Sequence, residues 1–169
     1  AVIESDIPAQ MLEGLDPIGV VGLAVLADGL RKPIAVDGPL LGPEDWSGIT
    51  FQSFRSEGQS AAIRALGAQP TDVIFHALDE GLANGEIGGF EKNLLIHQIN
   101  AMEADAPYIT ANVNLWPQTV AIVVNPDRLA ALSEPHRGWL TAAANDAAGL
   151  SSGLADQDGP IVLSMCESG

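Results

Sequence analysis

From Pro43 to Gln52 the chain runs Pro-Glu-Asp-Trp-Ser-Gly-Ile-Thr-Phe-Gln, and a capped helix ending at Leu66-Gly67-Ala68 follows. The pattern reads as a short helical turn, a tight glycine, an apolar strand, and a second helix that starts where the strand stops. A strand feeding directly into a helix is a basic unit of α/β domains, and free backbone N–H groups converge at such a junction. Function is therefore expected from a binding site built there rather than from catalytic machinery.

The rest of the chain continues the alternation. Ile7 to Leu15 reads as a short helix, with Asp6 in the N-cap position and Pro8 in the first turn. Val20 to Ala27 is nearly unbroken apolar, as in a strand covered on both faces. Asp28-Gly29 punctuates like a turn, and Arg31 to Val36 is a second short extended segment. After the Ile49–Phe54 strand, Ser56-x-x-Gln59 forms a capping box. Ala61, Ala62, Ala65 and Leu66 are the expected packing face, and Gly67 is the C-terminal stop.

Thr71 to Phe75 is β-prone, and His76 to Asn84 reads as a helix ending at Gly85. Ile87-Gly88-Gly89-Phe90 is too glycine-rich for a strand interior, so close approach of backbone or ligand is the expected reason for its glycines. Leu94 to Met102 reads as a helix or crossing segment, and Tyr108–Val113 and Thr119–Asn125 as strands. Asn125-Pro126-Asp127 and Ser133-Glu134-Pro135 open two further helices. Beyond Gly149 only Ile161-Val162-Leu163 reads as strand-forming, and residues 151–169 are expected to be a loosely ordered C-terminal segment after a lobe spanning 1–150. Short strands alternating with helices predict an α/β domain.

Composition removes several function classes. The 169 residues suffice for one domain, and 47% hydrophobic with 17% charged residues marks a folded chain. A formal net charge of −15, with seven scattered basic residues, excludes a phosphate-backbone partner, so no nucleic acid is expected. The longest apolar run, Ile18 to Ala27, falls far below the ~18 residues of a membrane span. One cysteine, Cys166, allows no internal disulfide. His76, His97 and His136 show no metal-ligand spacing, and no phosphate loop, dinucleotide fingerprint or nucleophile elbow is present. No cofactor, metal or catalytic residue is expected.

The order of motifs resembles the solute-binding proteins of tripartite ATP-independent periplasmic (TRAP) transporters. Gly29-x-Arg31 followed by Pro39-Leu40-x-x-Pro43-Glu44-Asp45-x-x-Gly48 is similar to the family's "G-x-R … P-I-x-x-P-E-D-L-K-G" passage. Leu66-Gly67-Ala68-x-Pro70 resembles its "A-L-G-A-x-P". Gly81 to Glu91 resembles "A-L-Q-x-G-x-V-D-G-x-E", and Val124-Asn125 with Leu129 and Leu132 resembles its closing passage. The resemblance covers roughly residues 20 to 148. It implies a lobe like that of type II periplasmic binding proteins, with a mixed sheet flanked by helices. It also implies a periplasmic or extracellular location, a small organic solute as ligand and a membrane permease as partner. Family members are longer, with two α/β lobes closing on a ligand at their hinge, so this chain is expected to be one lobe or a truncated form.

Two departures bear on the ligand. The family places an arginine four residues after the glycine of P-E-D-x-x-G, where it clamps a carboxylate; here Gln52 stands there. An amide hydrogen-bonds but brings neither charge nor the paired guanidinium donors. Gly88 replaces the motif's Asp. Candidate ligand-binding residues are Gln52 and Phe54 at the strand end, Arg55 just beyond, Glu91 after the double glycine, and Asn112, Asn114 and Trp116 where the later strands turn. Trp116, before a proline, fits a core plug as well as a stacking platform. The alternative function is a stand-alone interaction or sensor lobe, whose uncovered apolar face would favour a homodimer. A small histidine-dependent hydrolase is a weaker third option.

Overall fold

The computed structural model describes residues 5–54, 56–74 and 76–168, with the side chains of all but Ala155 and Ser168. Arg55, expected to bind ligand, and Phe75 lie outside the described residues. Two compact units divide the chain, one formed by Ala1–Gly29 with Pro117–Asp158, the other by Leu30–Trp116 with Gly159–Gly169. Both units therefore draw on each side of position 150.

The first unit begins with α1 (Ile7–Glu13), whose first turn holds Pro8; Asp6 occupies the N-cap position without a side-chain bond. It continues into β1 (Val21–Ala35), which runs on past Gly29 into the second unit. The sequence suggested two strands with a turn at Asp28-Gly29. The strand instead continues, because Gly29 takes a φ of +86° that lets the backbone kink without ending. A later strand, β6 (Trp116–Val124), pairs with β1. Helix α6 (Pro126–Ala130) follows, capped by Asn125, whose Oδ1 accepts the Arg128 N–H at 3.1 Å. The long helix α7 (Glu134–Ser151) closes on the strand, with Ser151 Oγ accepting the Ala27 N–H at 2.9 Å.

The second unit is built on a mixed sheet. Its elements are α2 (Pro43–Trp46), β2 (Thr50–Ser53), α3 (Glu57–Leu66), β3 (Gln69–Asp72), α4 (His76–Ala83), β4 (Gly89–Lys92), α5 (Leu94–Ile99), β5 (Tyr108–Ile109) and, at the C-terminus, α8 (Asp158–Ser168). Strand order is β3-β2-β4-β1-β5. β2 runs parallel to β3 and β4, whereas β1 is antiparallel to β4 and β5, with Ile34 opposite both Phe90 and Ile109.

Successive residues of a strand point to opposite faces, and β1 uses both. Ile34 packs with Leu78, Leu82, Ile87, Phe90 and Met102, so α4 covers that face. Its neighbour Ala35 packs with Leu40, Trp46, Phe51 and Ile63, so α2 and α3 cover the other. Covering on both faces leaves Arg31 to Ala35 buried at every position, whereas the apolar run Val21 to Ala27, expected to be covered in the same way, is mostly half-buried. The expected architecture, a mixed sheet flanked by helices, is the one observed.

Three local expectations need correction. The packing face of α3 is the row through Ile63 and Leu66, with Ala61, Ala62 and Ala65 exposed, because the branched Ile63 buries more apolar area than the alanines. Gly89 opens strand β4 despite the glycine-rich setting. The close approach foreseen there is real, since a Cβ on Gly89 would lie 2.7 Å from Phe51 Cδ2 and 3.0 Å from the Ile34 carbonyl oxygen. Finally, Ile161–Leu163 is helical, within α8, where a strand was expected; helix is the form that satisfies the backbone of a short apolar stretch without a partner strand.

Candidate functional site

The second unit contains a cavity of about 660 Å³, at the ends of β2 and β4 and the start of α4. The Thr50–Ser53 strand brings Gln52 to its wall, and Phe54, the residue after the strand, stands beside it. The antiparallel β1–β4 pairing sets Pro33 opposite Glu91 and Lys32 opposite Lys92, which delivers Arg31, Glu91 and Lys92 to the same wall. Ile74, His76, Leu78 and Asp79 line it from α4 and the preceding segment, and Asn100, Met102 and Asp105 from beyond α5.

Arg31 organises this wall. It is 6% exposed and Glu91 is 1% exposed. Arg31 Nε donates to the Glu91 carboxylate, and Arg31 Nη2 donates to the Glu91 backbone carbonyl at 2.9 Å. A buried guanidinium needs such a counter-charge, because an unpaired ion pays a large desolvation penalty. The same guanidinium lies 5.9 Å from the centroid of the Phe54 ring, within cation–π range.

Lys92 Nζ sits 2.8 Å from Met102 Sδ and 5.7 Å from the Phe90 ring centroid. Burial pushes its pKa below the ordinary lysine value and the Arg31 charge adds to this, while Asp79 and Glu91 pull the other way. Gln52 is 4% exposed, and its Nε2 donates to the Val73 carbonyl at 2.7 Å. Its side chain is thus fixed at the wall, with part of its hydrogen-bonding capacity already used.

Of the sequence-predicted residues, the cavity brings together Gln52, Phe54 and Glu91. Asn112, Asn114 and Trp116 are not among its lining. Asn112 is exposed, Asn114 Oδ1 accepts from Lys32 Nζ, and Trp116 packs against the Trp46–Phe51 cluster. Sequence reasoning missed Arg31, Lys92 and Asp79. For Arg31 a signal was present: Arg31-Lys32 sets two adjacent charges in the otherwise apolar stretch Leu30 to Val36.

His97, on α5, is fully buried, and among the described residues neither ring nitrogen has a hydrogen-bond partner. Its ring lies 6.3 Å from Phe90. Burial lowers its pKa, Lys92 reinforces this, and Glu103 opposes it. It belongs to the packing behind the cavity wall. Among the described residues no group of three His, Cys, Asp or Glu side chains converges to hold a metal ion, and no helix is long and apolar enough to cross a membrane.

Comparison with known proteins agrees with this fold. The C4-dicarboxylate-binding periplasmic protein DctP of Rhodobacter capsulatus is 27% identical over 108 residues, covering 62% of this chain and 32% of that protein. Among solved structures, a TRAP periplasmic solute-binding protein from Polaromonas sp. JS666, bound to D-erythronate, superposes with a TM-score of 0.86 at 18% identity, over 99% of this chain and 55% of the other. One from Xanthobacter autotrophicus Py2, with bound β-D-galacturonate, gives 0.82 at 20% identity, over 99% and 56%. The chain spans about a third of the curated relative and little more than half of the solved ones. The model of bacterial extracellular solute-binding protein family 7 (DctP) matches residues 1–169, and the chain belongs to that family.

Proposed function

We propose that this chain forms part of the extracytoplasmic solute-binding component of a TRAP-type transporter, and that its second unit supplies one wall of the solute site. In this reading the protein captures a small polar organic solute by hinge closure and presents it to a membrane permease, without chemical conversion. The observation that carries the reading is Arg31, a buried guanidinium held by Glu91 at the wall of a 660 Å³ cavity. Glu91 takes Nε and one Nη2 bond and fixes the guanidinium plane, so the Nη1 edge is the part that suits a carboxylate or a polar oxygen of the solute. Relatives with bound D-erythronate, β-D-galacturonate and succinate support a solute of this size.

Gln52, in the place of the family arginine, would contribute orientation through its amide, and Phe54 an apolar contact for the carbon skeleton. The test is ligand-induced thermal stabilisation, screened over small polar solutes. Phe54→Ala and Gln52→Ala should each reduce the shift for the stabilising solute. Unchanged shifts in both variants would remove this cavity from the binding site.

A further inference from the structure

The charges lining the cavity are unusual for an acid-binding wall. Two cations, Arg31 and Lys92, stand against three carboxylates, Asp79, Glu91 and Asp105. Arg31 is already engaged twice by Glu91, through its carboxylate and its backbone carbonyl. Gln52 adds no charge, and its amide is tied to the Val73 carbonyl. An incoming dicarboxylate would bring further negative charge to a surface where carboxylates already outnumber cations, and close like charges repel in proportion to their desolvation. Asp79 and Asp105 are exposed on this wall; Asp79 lies within the field of Lys92, and Asp105 adds a carboxylate beyond the two cation–carboxylate pairings. The formal net charge of −15 adds a long-range field that concentrates cations and repels anions.

Given the solute-binding reading above, we infer that the solute selected by this cavity carries an ammonium group as well as a carboxylate or polar oxygen. Its oxygen end faces Arg31 and its ammonium faces Asp79 and Asp105. Both ends of such a zwitterion find an opposite charge, whereas a plain acid finds one and meets repulsion at the other.

Matched solutes isolate the effect: glucosaminate against gluconate, and aspartate against succinate, titrated calorimetrically into the full chain at neutral pH and low salt. The expected result is about tenfold tighter binding of at least one amine member than of its acid counterpart, with the gap shrinking as salt is added. Asp79→Asn combined with Asp105→Asn should abolish the gap, and Gln52→Arg should shift preference towards the acids. Both substituted aspartates are exposed, and a thermal melt of the double variant checks that the fold is kept. Acids that bind as well as or better than their amine counterparts overturn this inference and leave the solute-binding reading standing. Absence of binding by all four counts against both.

Discussion

Arg31 and Glu91, both buried in the second unit, form an ion pair in which one residue supplies two acceptors: its carboxylate to Nε and its backbone carbonyl to Nη2. The pairing is set by the β1–β4 ladder, which places Glu91 opposite Pro33, two residues from Arg31. Removing one partner leaves the other charge buried without compensation. Glu91→Ala should therefore cost about 3–5 kcal/mol of unfolding free energy. Replacing both with apolar residues of similar size, as in Arg31→Met with Glu91→Leu, should cost much less. Urea denaturation of the single and double variants checks this. A single-variant loss below about 1 kcal/mol would show that water reaches the pair.

His97 predicts how stability responds to acid. In the folded chain burial pushes the ring's pKa below the ordinary histidine value, with Glu103 partly offsetting this and Lys92 adding to it. As pH falls below about 6.5, the unfolded chain binds a proton at this position more readily than the folded one, so folding loses stability on the acid side; well above that pH the contribution is flat. His97→Met should flatten this loss. At neutral pH it should be neutral or stabilising by about 1 kcal/mol, since it removes two nitrogens without hydrogen-bond partners among the described residues. Comparing urea midpoints of the two proteins from about pH 5 to 8 isolates the effect from the carboxylates they share.

The architecture was legible because its signals are local. The Ser56 cap, the left-handed Gly67 and the apolar run entering β1 each act within a few residues, and each was read from spacing alone. The continuity of β1 was hidden, because Asp-Gly looks the same in a turn and in a kinked strand. The lining of the cavity was only half legible. Gln52 and Phe54 lie at the end of a strand and Glu91 follows a double glycine, features that mark themselves in sequence. Arg31, Lys92 and Asp79 join them through strand pairing and helix placement, which no local pattern encodes.

Gly89 predicts a steric cost at the centre of the sheet. A Cβ there would press on the Phe51 ring at 2.7 Å and on the Ile34 carbonyl oxygen at 3.0 Å. The ring stacks at 5.1 Å from Trp46 and is itself fully buried, so it has little room to retreat. Gly89→Ala should destabilise by about 1–3 kcal/mol, as overpacking does elsewhere. Gly138→Ala, where a Cβ meets nothing within 4 Å in the α7 helix, should be neutral or stabilising by up to about 1 kcal/mol. Parallel thermal melts of the two variants read the contrast directly.

The start of α3 offers a test of the junction that the sequence first marked. Ser56 Oγ accepts the Gln59 N–H at 3.3 Å, but among the described residues Gln59 Oε1 has no hydrogen-bond partner, so only the serine half of the capping box carries the helix end. Ser56→Ala should therefore cost about 1 kcal/mol, the usual worth of a serine cap. Gln59→Leu should cost little or even stabilise, because it removes a buried acceptor that has no donor. Chemical denaturation distinguishes the two. Equal losses in both variants would mean that the reciprocal bond from Gln59 forms in solution.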